Sequence, residues 1–137
     1  MTDQQNTGRL LKRAQYRNHR AADRALANVG TSLVQWDALR AISESPDSSA
    51  HDLAIATFQS DQAFGTLANR LEAKGLIARS SGKGRRVEHA LTGEGQRMLE
   101  AGFEVTRGVT ERSFAKLTRA ELGVLRELLE RVGEVPE

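Results

Sequence analysis

The chain contains no cysteine. Disulfides, thiolate metal sites and thiol-based redox sensing are therefore excluded. It also lacks any run approaching the roughly 20 apolar residues that span a bilayer. Its opening, MTDQQNTG, is polar, without an apolar stretch of signal-peptide length. These absences lead to the expectation of a soluble cytoplasmic protein with no membrane partner. Aromatic residues are scarce, at four Phe, one Trp and one Tyr, whereas Leu and Ala are abundant. That balance favours helices over sheets. Charge of one sign is lacking too: 20 Lys and Arg face 18 Asp and Glu, so local clusters carry more information than the total. At 137 residues the chain suits a single domain with a buried core.

Catalytic signatures are absent as well. His19, His51 and His89 fall on three separate predicted elements, and none forms a local metal-ligand spacing or an HExxH pattern. There is no G-x-S-x-G elbow, Walker A loop or dinucleotide fingerprint. Three histidines do not exclude a catalytic triad, which is defined by geometry, but the expectation is a protein that is not an enzyme and needs no cofactor and no metal.

What is present is a sequence of helices leading to a basic hairpin. Residues 1–8 read as frayed. From Arg9 onward, Leu10, Leu11, Ala14, Ala21, Ala22, Ala25, Leu26 and Val29 trace one side of a helix. Arg9, Arg13, Arg17, Arg20 and Arg24 lie on another side, as a solvated face or as a phosphate or dimer contact. Gly30 is a C-terminal cap candidate. Ser32 and Gln35 have capping-box spacing, ahead of an apolar face of Trp36, Leu39 and Ile42 that ends before Pro46. Trp36 reads as core, with the wall of a small-molecule pocket as its alternative. A short helix from His51 to about Ala56 follows, started by Ser49 and Asp52.

Residues 60–92 organise the chain. Ser60 is an N-cap and Asp61 suits the positive first turn of a helix. Phe64, Leu67, Ala68 and Leu71 form its buried face, while Gln62, Thr66, Asn69 and Ala73 lie opposite, with Arg70 flanking. Such a face fits a major groove, where Gln pairs with adenine and Thr meets a base edge or a thymine methyl. Arg70 suits phosphate. Gly65 in mid-helix either permits close backbone approach to DNA or is tolerated at about 1 kcal/mol. Gly75 ends the helix. Leu76 to Ser80 and Arg85 to Leu91 read as strands around an SGKG turn, with Val87, His89 and Leu91 on the apolar side. Arg79, Lys83, Arg85 and Arg86 against Glu88 make the hairpin basic, as suits phosphate or a narrow minor groove.

These residues resemble the MarR family of bacterial transcription regulators. The resemblance rests on Gln35 and Leu39, on Asp52-Leu53-Ala54, and on Asn69-Arg70-Leu71-Glu72-Ala73-Lys74-Gly75-Leu76-Ile77. Arg85-Arg86 in the wing and Leu91-Thr92 with Gly95 behind it extend the match. It implies a mainly α protein with a small β-hairpin, namely a winged helix-turn-helix over about residues 31–92. About 9–30 and 93–135 would be flanking dimerisation helices. It further implies a homodimeric repressor of double-stranded DNA on a pseudo-palindromic operator, released by a small aromatic effector. The DNA-binding residues would be Ser60, Asp61, Gln62, Thr66, Asn69, Arg70, Lys83, Arg85 and Arg86. A ligand pocket would draw on Tyr16, His19, Trp36 and Arg40. Two departures stand out. Gly65 and Thr66 occupy positions where the family often has a polar residue followed by Arg, and Gly82 and Gly84 stand where wing Asp is common. The expectation is reliance on phosphate and DNA shape more than on strong base readout.

The last segment completes the plan. Thr92 caps a long helix containing Met98, Leu99, Phe103 and Val109, with Gly102 and Gly108 expected to loosen or kink it. Thr118 and Glu121 form a capping box and Leu117 with Leu122 a hydrophobic staple. Leu122, Leu125, Leu128, Leu129 and Val132 make an apolar stripe, to be covered within the chain or across a two-fold axis. The competing functional reading is a winged-helix module that binds proteins rather than specific DNA.

Overall fold

The computed structural model describes residues 1–81, 84 and 86–134. Lys83 and Arg85, two of the expected DNA contacts, lie outside the described residues. In chain order the elements are α1 (Asp3–Ala27), α2 (Leu33–Glu44), α3 (Ala50–Ala56), α4 (Asp61–Ala73), β1 (Ile77–Ser81), β2 (Val87–Leu91), α5 (Gly93–Ser113) and α6 (Arg119–Gly133).

Most helix starts follow from a local hydroxyl. Ser32, Ser49, Ser60, Thr92 and Thr118 each accept a hydrogen bond from a backbone N–H three residues on, which satisfies one of the unpaired donors of the first turn. At Thr118 the box is reciprocal, because the Glu121 carboxylate accepts from the Thr118 N–H at 2.9 Å. These bonds hold the Glu121 carboxyl below the ordinary carboxylate range.

The first eight residues correct an expectation. They are not frayed: Thr2 caps α1, with a reciprocal box between Thr2 and Gln5. The Ser32 box is the converse. Ser32 caps Gln35 N–H at 3.2 Å, but no second half forms. Instead the Gln35 amide oxygen accepts from Lys74 Nζ at 3.1 Å. The free N-terminus of α2 is served by α1, since the Leu33 N–H donates to Asp23 Oδ1 at 2.8 Å.

The core gathers Leu26 of α1, Trp36, Leu39 and Ile42 of α2, Leu53 of α3, Phe64, Leu67 and Leu71 of α4, Ile77 of β1 and Leu99 of α5. α1 packs on α5 and α2, α3 on α4, and α4 on β1. Trp36 is 7% exposed. Its indole N–H donates to the Leu99 carbonyl at 3.1 Å, and its ring meets Phe103 edge-on at 5.0 Å. Gly102 is what permits this contact: a Cβ there would stand 2.1 Å from Trp36 Nε1. α5 runs unbroken through Gly102 and Gly108, so Gly102 makes room for an aromatic ring in a continuous helix.

The strands pair antiparallel with Ile77 opposite Leu91 and Arg79 opposite His89. Both start later than expected, at Ile77 and Val87. The expected inward face is only partly buried, since His89 is 4% exposed and Val87 44%. The hairpin is tied to α5 at its base. Thr92 N–H donates to the Leu76 carbonyl at 3.1 Å and Thr92 Oγ1 to the Gly75 carbonyl at 2.6 Å. Gly75 ends α4 with a φ of 74°, where a side chain would be strained. α6 buries none of its residues, and Val124, Leu128, Leu129 and Val132 are all exposed.

Candidate nucleic-acid interface

α4 presents a polar face because its apolar face is fixed. Phe64, Leu67, Ala68 and Leu71 are buried, which leaves Gln62, Thr66, Asn69 and Arg70 exposed. Ser60 sits at the helix start and caps Ala63 N–H at 3.0 Å. On one flank, α4 and the first turn of α2 enclose a cleft of about 450 Å³ whose walls include Val34, Gln62, Thr66 and Arg70. Val34, an exposed apolar residue, did not stand out in the sequence. Its place beside the reading face comes from packing rather than pattern.

Side-chain bonding narrows what each of these residues has free for a partner. Thr66 Oγ1 donates back to the Gln62 carbonyl at 3.2 Å, so its methyl and lone pairs remain for a base. Arg79 of β1 donates through Nη2 to Asn69 Oδ1 at 2.6 Å and to Glu72 Oε1 at 2.9 Å. The Asn69 amide oxygen thus already accepts one bond, and one of its two lone pairs stays open. Its amide donors remain free for phosphate or a base acceptor. Arg79, counted with the basic hairpin from sequence, is instead a brace between wing and reader. Its hydrogen bond holds the Glu72 carboxyl below the ordinary range. Arg70 and Arg86 are exposed and have no carboxylate partner among the described residues.

Two histidines flank this apparatus. His89 lies beneath the hairpin, 5.9 Å from the Phe64 ring, with no partner for Nδ1 among the described residues. Burial pushes its pKa down, the Arg79 charge adds to this, and Glu72 opposes it. His51 of α3 bonds through Nδ1 to Asp61 Oδ1 of α4 at 2.8 Å. That bond, then the Asp61 charge, raise its pKa; burial opposes them, and the Asp52 charge adds the least.

Neither the cleft beside α4 nor the one on α1 gathers all four residues expected at a ligand pocket. Tyr16 lines a cleft on α1 with Arg9, Lys12, Arg13 and Gln15, and Arg20 lies over its ring at 5.7 Å. His19 is half-buried on α1. Trp36 faces α5, and Arg40 is held within α2 by Asp37 at 2.8 Å and Glu44 at 2.6 Å. Among the described residues no group of three or more His, Cys, Asp or Glu could hold a metal ion, and no helix is long and apolar enough to cross a membrane.

This arrangement, a helix presented beside a two-stranded hairpin, agrees with comparisons to known proteins. The MarR family model matches residues 29–86. The HTH-type transcriptional repressor Rv2887 of Mycobacterium tuberculosis is 32% identical over 111 residues, 80% of either chain. The chain belongs to the MarR family. As a MarR protein it is a transcriptional regulator of winged-helix fold, a family whose members are generally not enzymes. Rv2887 in complex with DNA superposes with a TM-score of 0.76 at 28% identity, covering 93% of this chain and 97% of that one. Its complex with p-aminosalicylic acid gives 0.77 at 29%, covering 93% and 98%. A probable transcriptional regulator from Pseudomonas aeruginosa gives 0.81 at 30%, covering 91% and 95%.

Proposed function

We propose that this MarR protein is a cytoplasmic homodimeric repressor that binds a pseudo-palindromic operator and is released by a small aromatic acid. It acts by binding rather than by catalysis. The observation that carries the reading is α4, whose polar face stays exposed while its apolar face is locked into the core. Ser60, Asp61, Gln62, Thr66, Asn69 and Arg70 on α4, with Lys83, Arg85 and Arg86 in the wing, form the DNA-binding set. Gln62 and Thr66 read bases; Arg70 and the wing cations hold phosphate. The relative Rv2887, crystallised with DNA and with p-aminosalicylic acid, supports both partners.

Residues 31–92 act as the DNA-binding core, and residues 9–30 and 93–135 as the dimer arms. The exposed apolar residues Leu10 and Leu11 of α1 and Leu128, Leu129 and Val132 of α6 support mutual burial in a second copy. Tyr16 and His19 of α1 with Trp36 and Arg40 of α2 form the ligand-binding set.

The test is duplex binding across a salt series with DNA selected by the protein from a random-sequence pool. Specific operator binding predicts an enriched two-fold symmetric site. It also predicts an affinity falling with salt at a log–log slope of about −0.9 per neutralised phosphate. A monomer by light scattering, or no duplex binding at low salt, would refute the proposal. The latter result would favour a protein-binding winged helix instead.

A further inference from the structure

His51 and Asp61 form a pair that the fold does not require. Their side chains are 67% and 69% exposed, and an exposed ion pair contributes little to stability. Asp61 is not needed as a cap, because Ser60 already holds the Ala63 N–H. The carboxylate instead reaches across to α3, where its Oδ1 accepts from the His51 Nδ1–H at 2.8 Å. Its second oxygen has no partner among the described residues. One turn further along α4 stands Gly65, where a Cβ would meet nothing within 4 Å. No side chain therefore covers the carboxylate from the next turn.

We infer that His51 is a positioning residue that holds Asp61 so that its free oxygen reads a cytosine in the major groove. A carboxylate only accepts hydrogen bonds, and the cytosine N4 amine is the donor that acidic side chains recognise there. An unaccompanied carboxylate at the tip of a DNA-reading helix would also repel phosphate. Protonated His51 makes the pair neutral, so the reader approaches the duplex without that penalty. The charged groups facing His51 are Asp61 from α4 and Asp52 on its own helix, and both favour the protonated ring. DNA affinity is then greatest with His51 protonated and declines as pH rises through its raised pKa.

The inference rests on the DNA-reading role proposed for α4. It is tested with the full chain, selecting duplexes from a random-sequence pool with wild type, Asp61→Asn and His51→Ala. The wild-type consensus should carry a cytosine at one symmetric position in each half-site. Asp61→Asn should exchange it for adenine, the partner of Asn, with a shift of about tenfold in relative preference. His51→Ala should flatten preference at that position. It should also abolish the fall in affinity between about pH 6 and about pH 8 that wild type displays. An enriched consensus that is unchanged in both variants, with only the melting temperature moving, assigns the pair a structural role and overturns the inference. A pool that wild type fails to enrich overturns the DNA-reading role itself, and the inference falls with it.

Discussion

Replacing Gly95 by alanine should damage this protein far more than one methyl group suggests. A Cβ at Gly95 would stand 1.9 Å from the Leu76 carbonyl oxygen and 3.0 Å from its carbon. The obstacle is backbone, so no side chain can swing aside. Ordinary contact begins at 3.4 Å, so the start of α5 must retreat by about 1.5 Å, the difference between these distances. That movement disrupts the bonds from Thr92 N–H to Leu76 and from Thr92 Oγ1 to Gly75, at about 1 kcal/mol each. Residual overpacking adds about 1–3 kcal/mol, and better helix propensity offsets about 1 kcal/mol. The net loss is about 2–4 kcal/mol. In a urea titration followed by far-UV circular dichroism, the midpoint should fall by roughly 1–2 M at an unchanged slope. Protein concentration must be held constant, because the proposed dimer would make the midpoint depend on it. Gly123→Ala in α6, where a Cβ meets nothing within 4 Å, is the matched control and should lose nothing. A Gly95→Ala midpoint matching that control would refute the close-approach argument.

Gly65→Ala should raise stability by about 1 kcal/mol, since a Cβ built there would meet nothing within 4 Å beyond its own stretch of helix; the same urea titration checks it. Trp36→Phe leaves the buried Leu99 carbonyl without its indole donor and should cost about 1–3 kcal/mol by thermal melting. For His89, burial lowers the folded-state pKa below 6.5, so the unfolded chain binds the proton more readily. Its contribution is intact above that value and is lost as pH falls towards the lowered one. Melting temperatures of His89→Leu should therefore decline less on acidification than those of wild type. Arg86→Ala should weaken binding to all duplexes alike and reduce the salt slope by about one, whereas Gln62→Ala should alter sequence preference, as read by competition between duplexes.

Features written in short stretches of chain were the legible ones. The caps at Ser49, Ser60, Thr92 and Thr118, the buried face of α4 and the stop at Gly75 each depend on residues within one or two turns. The start of α1 was equally local, because Thr2 and Gln5 have capping-box spacing. The polar character of residues 1–8 hid it, since no apolar periodicity accompanies the cap. Contacts that join distant segments left no pattern to read. Asp23 capping α2, Arg79 bracing Asn69 and Glu72, and His51 holding Asp61 all require knowing which helix lies beside which. Gly102 shows the same limit from the opposite side. Its glycine suggested a loose helix, but the residue that makes it necessary, Trp36, is remote in sequence and adjacent only in the folded molecule.

α1 is a 25-residue helix whose start is exposed and whose end is anchored by Leu26 in the core and by Asp23 on α2. Its second half packs on α5, where Ser113 Oγ donates to Asn18 Oδ1 at 3.2 Å, so residues 3–17 form an exposed arm about 22 Å long from the rise per residue. Turning such an arm by about 5° at its base moves its tip by about 2 Å. If two tips are joined in a dimer, a small rotation at each base alters the separation of the two reading heads by several ångströms without repacking either core.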